Sequence, residues 1–212
     1  MANNLVLIGG GGHCKSVLDA AIKMGLFDEI VITDSDIEAG TEIFGCKVVG
    51  TDDELPRLRS EGFNNAFITI GSIESTALRR KLVEKIEKLG FKFATIIDPS
   101  ATISEHAFVG SGSFIGKNVV VNADAVVGSH CIINTGSIVE HECKVGDFTH
   151  ISVGSILCGN TEIGEDSLIG EGSTIIQGIK VGSHSIIGAG SVVVKDIHSN
   201  AKAYGNPCRV VE

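Results

Sequence analysis

His141 stands directly before Glu142 in the segment Asn134-Thr135-Gly136-Ser137-Ile138-Val139-Glu140-His141-Glu142-Cys143, and His150 follows nine residues after His141. An imidazole with a carboxylate beside it can take a proton from an attacking amine or hydroxyl. Taken alone, such a pair in a loop is more often an ordinary surface pair. A second stretch, Gly9-Gly10-Gly11-Gly12-His13-Cys14-Lys15, has the composition of a phosphate cradle. Glycines let the backbone approach an anion, and a helix opening behind them offers N–H donors and a partial positive charge. A tight strand-to-helix turn is the plainer alternative. The dinucleotide fingerprint G-x-G-x-x-G is incomplete, because Cys14 and Lys15 stand where its last glycine belongs. Asp34 closes the next apolar run, where a ribose or base contact is expected. No H-x4-H pair occurs among the histidines of the second half, so no metal site is expected. His106, His130, His184 and His198 read as turn or surface residues.

Two kinds of element must position these residues. The first 97 residues read as alternating strand and helix, with strands at Leu5–Ile8, Ile30–Thr33 and Phe67–Ile70. Val17, Leu18, Ala21 and Ile22 mark one helix face; Leu78, Leu82, Val83, Ile86 and Leu89 mark another, stopped by Gly90. Such alternation implies a small parallel sheet with helices against it, and Asp98-Pro99-Ser100 reads as the joint to the second half of the chain. From there the period is six. Every sixth residue from Ile103 to Val193 is aliphatic, sixteen in all. Two places before each anchor stands a mostly small residue, such as Ser113, Ser137, Thr149, Ser167 or Ser185. Directly after it stands Gly at positions 110, 116, 128, 146, 164, 170, 182 and 188, read as the residue that keeps each turn tight. Short strands joined by turns, with the aliphatic residue pointing inward, satisfy this pattern.

The 27 glycines in 212 residues exceed the usual share, yet no every-third-residue repeat runs through them, which excludes collagen. With 43% hydrophobic residues and a mean hydropathy of +0.28, the chain can build a core. Its net charge of −9 argues against a nucleic-acid surface. No apolar run approaches a membrane span, and Leu5–Ile8 is too short for the core of a signal peptide. Six cysteines without a CxxC pair read as free thiols in a reducing cytoplasm.

The hexad repeat resembles the left-handed parallel β-helix of the hexapeptide acyltransferases, in which three hexads make one coil and residues 18 apart stack. With the glycine-rich start, "EHE" in mid-helix, "CGN" and the C-terminal "GNPCR" (Gly205–Arg209), the whole chain resembles bacterial sugar acetyltransferases of the bacillosamine N-acetyltransferase and sialic acid O-acetyltransferase type. The resemblance implies an α/β Rossmann-like domain over residues 1–97, holding a nucleotide-sugar, and an all-β left-handed β-helix over 98–212, holding acetyl-CoA. It implies His141 as general base with Glu142 supporting it and fixing its tautomer. It places His150, Glu171 and Ala189 against acetyl-CoA, the last two through the backbone. Gly159, one coil beyond His141, would open space beside the base or offer its N–H to an oxyanion, unless it is a plain turn glycine. Gly11, Gly12 and His13 would hold a diphosphate, Asp34 and Ser35 would lie near the nucleoside, and Gly71 and Glu74 would complete the substrate contacts. A homotrimer with sites at subunit interfaces, acetyl-CoA as co-substrate, and neither metal, nucleic acid nor membrane partner complete this expectation. Acetylation of an amino sugar on a nucleotide diphosphate is the first reading. O-acetylation of a sialic-type acid and a non-catalytic nucleotide-sugar-binding solenoid are the alternatives.

Overall fold

The computed structural model describes residues 2–71 and 75–211, and the chain separates into two compact units, residues 1–97 and 98–212. In the first, β1 (Asn4–Ile8) is buried along its whole length, because it runs through the centre of the sheet. It leads into α1 (Gly12–Met24), which ends where Gly25 adopts φ +63° and returns its N–H to Ile22. Then follow β2 (Ile30–Thr33), β3 (Glu42–Ile43), β4 (Cys46–Gly50), α2 (Leu55–Ser60), β5 (Phe63–Ile68), α3 (Ala77–Lys88) and β6 (Lys92–Phe93). The sheet order is β3-β4-β2-β1-β5-β6, with β2 and β5 both parallel to β1. The chain leaves β1 to one side and later returns on the other. The carboxyl ends of β1 and β5 therefore form a switch point, the place where open α/β sheets receive ligands.

Three sequence expectations shift here. The strand expected at Phe67–Ile70 begins at Phe63 and ends at Ile68. Asn64 and Asn65 conceal its start; Asn65 can lie in a strand because its amide donates to Asn3 Oδ1 and to the Asn4 carbonyl. Ile22 and Leu78 lie off the core faces, 44% and 55% exposed, while Arg79 is buried on α3.

The second unit is a left-handed β-helix of two-residue strands. Face one runs through Phe114–Ile115, Ile132–Ile133, His150–Ile151, Leu168–Ile169, Ile186–Ile187 and Lys202–Gly205. Face two stacks Val120–Val121, Ile138–Val139, Ile156–Leu157, Thr174–Ile175 and Val192–Val193. Face three stacks Val126–Val127, Lys144–Val145, Glu162–Ile163 and Lys180–Val181. Fourteen successive anchors, Ile115 to Val193, are at most 3% exposed. Burying each aliphatic side chain contributes roughly 1.5–3 kcal/mol.

The small residues two places earlier carry a polar ladder inside the helix. Ser113, Thr149, Ser155, Ser167 and Ser173 each donate a buried hydroxyl to a carbonyl of the next coil, at Gly128, Gly164, Gly170, Gly182 and Gly188. The eight hexad glycines have a different cause from the one expected. None has a positive φ. At Gly110 and Gly170 a Cβ would lie within about 2.8 Å of the next coil's backbone. The left-handed corner residue falls two positions later, at Gly136, Gly154, Gly172 and Gly190, and also at Asn118, Asp124, Glu142, Asn160 and Asp166. Close stacking of coils, rather than turn conformation, excludes a side chain at six of the eight, while at Gly116 a Cβ would lie 3.0 Å from the next coil and at Gly188 it would lie 2.8 Å from the Tyr204 Cβ.

Candidate active site

His141 lies on the edge between faces two and three, in a column with Ala123 and Gly159; Glu142 N–H donates to Ala123 and Asn160 N–H to His141. His141 Nδ1 is 3.1 Å from Glu142 Oε2. A carboxylate only accepts, so Nδ1 is the donor in this contact, and in the neutral ring that leaves Nε2 as the acceptor. Glu142 has φ +60°. This conformation costs a non-glycine residue roughly 1–2 kcal/mol, and here it sets the carboxylate beside the ring. Glu140 holds the corner from the other side: its Oε2 accepts from His141 N–H at 3.1 Å and from the Asn122 amide at 3.0 Å. A Cβ on Gly159 would come within 2.5 Å of His141 Cε1 and Nε2, so the absence of a side chain at 159 lets the ring lie there. The Gly159 N–H donates to no other group among the described residues.

Glu171 and Ala189 are on a different edge, between faces one and two, in the column Lys117–Thr135–Val153–Glu171–Ala189. Both are exposed. His150 sits on the outer side of face one, its Nε2 3.4 Å from the Asn134 amide. Within one chain, then, His141 and the trio His150, Glu171 and Ala189 occupy separate edges and faces of the β-helix. Sequence reasoning did not single out Glu140, Asn122 or Asn134 as partners; the 18-residue stacking is the signal that pairs Asn122 with Glu140, while Asn134 and His150, 16 residues apart, fall outside it. The same stacking gathers Glu165, Asp166 and His184 on the third edge, their ligand atoms within 4.8 Å of one another. A search for close histidine pairs misses that trio, which lies away from both columns.

In the first unit the four glycines divide in two. Gly9 has φ +103°, and a Cβ on Gly10 would meet Ile37 at 2.5 Å, so these two shape the loop. Gly11, the N-cap of α1, and Gly12 are exposed, with nothing within 4 Å of a Cβ position. They stand at the N-terminus of α1, where backbone N–H groups lack intrahelical partners. His13 follows, half-buried, and Gly71 is exposed and open. Asp34 is committed to the loop: Oδ2 accepts from Gly10 N–H at 2.6 Å, and Oδ1 from Asp36 and Ile37 N–H at 2.8 and 3.0 Å. Burial works to raise this carboxyl, but the three backbone donors outweigh it and hold it below the ordinary value. The Thr69 hydroxyl donates to the carbonyls of Ile8 and Gly9. Burial pushes the Cys14 thiol up to about 11 against an opposing bond from Thr69, leaving it poorly nucleophilic. A cleft of about 290 Å³ opens between Gly9, Asp34, Ser35, Asp52 and Ile70, at the switch point. Glu74 lies outside the described residues.

Residues 4–86 match the PglD N-terminal domain, and residues 160–195 match the bacterial transferase hexapeptide (six repeats). The chain is 35% identical to a GDP-perosamine N-acetyltransferase from Caulobacter crescentus, solved as a histidine-to-alanine variant with CoA and GDP-perosamine. That match covers 99% of this chain and 97% of the other, with a TM-score of 0.91. It is 38% identical to the acetyltransferase domain of PglB from Neisseria gonorrhoeae in complex with acetyl coenzyme A, over 100% of both chains, with a TM-score of 0.91. WeeI from Acinetobacter baumannii, 24% identical over 98% of this chain and 99% of its own, shares the fold with a TM-score of 0.84. No curated protein matches the sequence.

Proposed function

The chain belongs to the hexapeptide-repeat sugar acetyltransferases that carry a PglD-type N-terminal domain, and on that basis we propose that it acetylates the amino group of a nucleotide-linked sugar. It is an acyltransferase, and acetyl-CoA is its acyl donor. The observation that carries the proposed chemistry is the His141 ring, tied at Nδ1 to Glu142 with its Nε2 edge over Gly159.

In the proposed mechanism Nε2 takes a proton as the sugar amine attacks the thioester carbonyl. Glu142 holds the ring and stabilises the imidazolium that forms. The Gly159 N–H donates to the oxyanion of the tetrahedral intermediate. The intermediate collapses to the amide and the CoA thiolate leaves, taking up the proton. Gly11, Gly12 and His13 hold the diphosphate, and Ser35 and the adjoining cleft take the nucleoside. Asp34 acts by fixing the glycine loop.

The site is completed between subunits of a homotrimer, since His141 and the donor-binding edge are on separate edges of each chain. The outer faces support this. Face two presents half-buried Val120, Ile138, Ile156, Thr174 and Val192, and face one presents Leu168 and Ile186. Face three instead carries the ion row Lys144–Glu162–Lys180, which suits solvent. No helix of the described residues is long and apolar enough to cross a membrane, and six free thiols suit a reducing cytoplasm.

The test is thiol release from acetyl-CoA against a panel of nucleotide-linked amino sugars and free sialic acids, with the product's N- or O-linkage read by mass spectrometry. Turnover with an amino sugar to an alkali-stable amide is expected. Turnover confined to hydroxyl acceptors would replace the N-acetyl reading, and no turnover with any acceptor would overturn the activity.

A further inference from the structure

Away from both columns of the proposed active site, the third edge of the β-helix, between faces three and one, carries its own cluster of ligating side chains. Glu165, Asp166 and His184 each offer one ligand atom there, and the three atoms lie within 4.8 Å of one another. The coil register brings them together: His184 N–H donates to the Glu165 carbonyl, so His184 belongs to the coil directly beyond the other two. The Asp166 side chain is only 5% exposed, and its Oδ2 faces His184 Nδ1 at 3.7 Å. That separation is longer than a hydrogen bond of roughly 2.7–3.2 Å. It is close to the roughly 3.4 Å between two ligands that one tetrahedral ion holds at about 2.0–2.1 Å. Charged neighbours are engaged elsewhere: Lys144 and Lys180 reach Glu162, and Asp147 Oδ1 accepts from Ser129 N–H at 2.8 Å.

We propose that this corner binds a divalent transition-metal ion of the zinc type, held by the carboxylates of Glu165 and Asp166 and by His184 Nδ1, with water completing the coordination. Binding through Nδ1 requires the ring proton to be on Nε2. The donor set decides the class of ion. An imidazole nitrogen with two carboxylates suits Zn²⁺ and its neighbours in the first transition row, whereas Mg²⁺ and Ca²⁺ prefer oxygen ligands alone. Glu165 and His184 are exposed, so the corner is open to solvent, an ion can enter, and water can fill the remaining position. The ion's charge then lies against Asp166, the most buried carboxylate of the three. Because the ligands come from two successive coils, the ion clips one coil to the next. It therefore stabilises the folded chain in proportion to its occupancy. The site is independent of the acetyl-transfer reading, since none of its ligands belongs to the His141 column or to the edge that carries Glu171 and Ala189.

The test titrates Zn²⁺ and, separately, Mg²⁺ into the chelator-treated full-length protein by calorimetry, and follows thermal unfolding with each ion. The variants are Asp166→Asn and His184→Asn. Both positions are left-handed corners, with φ +55° and +57°, and asparagine tolerates that conformation, so the variants lose a ligand without new backbone strain. His106→Asn, which removes an exposed imidazole outside the cluster, is the control. One Zn²⁺ per chain is expected in the wild type and in His106→Asn, with affinity at least about tenfold weaker in Asp166→Asn and His184→Asn. Zn²⁺ at about 100 times its Kd should raise the wild-type Tm by about 5 °C, and that of the two variants by about half as much or less at the same concentration. Zn²⁺ affinity unchanged in either variant, or no Zn²⁺ bound by the wild type, overturns the site. Mg²⁺ binding as tight as that of Zn²⁺ overturns the assignment of the ion. Circular dichroism checks that both variants are folded.

Discussion

At the residue scale the proposed chemistry depends on one ring held from two sides. Glu142 fixes its Nδ1 and Glu140 fixes the backbone beneath it. His141→Ala should lower kcat at least about 100-fold, measured by thiol release, with unfolding unchanged. Gly159→Ala tests the same place from the neighbouring coil. Its Cβ would come within 2.5 Å of the ring, so the ring must move, and kcat should fall by roughly 100-fold in a folded protein. Wild-type kcat in Gly159→Ala would mean that the ring position is not critical. Asp34 makes a pH prediction. Its carboxyl is held below the ordinary value by three backbone donors acting against burial. Its contribution is therefore fully present above the unfolded carboxylate pKa of about 3.9 and disappears as pH falls through the lower folded value. Acid unfolding followed by circular dichroism should show Asp34→Asn less stable than wild type at neutral pH, with the difference shrinking below about pH 4. A difference independent of pH would deny the ionised clamp.

At the scale of the element, the β-helix uses glycine for two distinct purposes. Gly170 faces the backbone of the next coil, while Gly154 adopts φ +67° with nothing within 4 Å of a Cβ. Gly170→Ala should cost about 1–3 kcal/mol by overpacking. Gly154→Ala should cost only the left-handed conformation, roughly 1–2 kcal/mol. Urea midpoints will separate the two, and a larger loss at Gly154 would reverse the assignment. Ser173→Ala removes one of the two hydroxyls that donate to the Gly188 carbonyl and the acceptor of the buried Ser191 N–H, and should cost about 1 kcal/mol in the same assay. The hexad repeat made the solenoid legible, because every inward position must be aliphatic to fill a triangular coil. The reason for each small residue was not legible. Composition records a missing side chain, but only coordinates distinguish a close backbone from a positive φ. Likewise Ile22 and Leu78 fit a helical spacing yet lie outside the core, because spacing alone does not fix which side of a wide apolar stripe meets the sheet.

For the whole molecule, the separate edges make a prediction about assembly. If His141 of one subunit serves donor bound at another subunit's edge, two inactive variants should complement. His141→Ala and Ala189→Trp, each inactive alone, should regain activity when co-refolded, because some interfaces then join an intact His141 to an intact donor edge. Light scattering should give a trimer. Mixed variants that stay inactive would place each site within a single chain.

The sequence by itself determined the solenoid, its register and the adjacency of His141 and Glu142, since a six-residue period and a neighbouring pair are local facts. Stacking at 18 residues even foretold that Gly159 would lie against His141. Tertiary structure alone decided which atom faces which: that Asp34 commits its carboxylate to the glycine loop, and that Glu140 and Asn122 hold the His141 corner. Those relations depend on side-chain direction and on strands meeting far apart in sequence, where a shift of one residue turns every side chain to the other face.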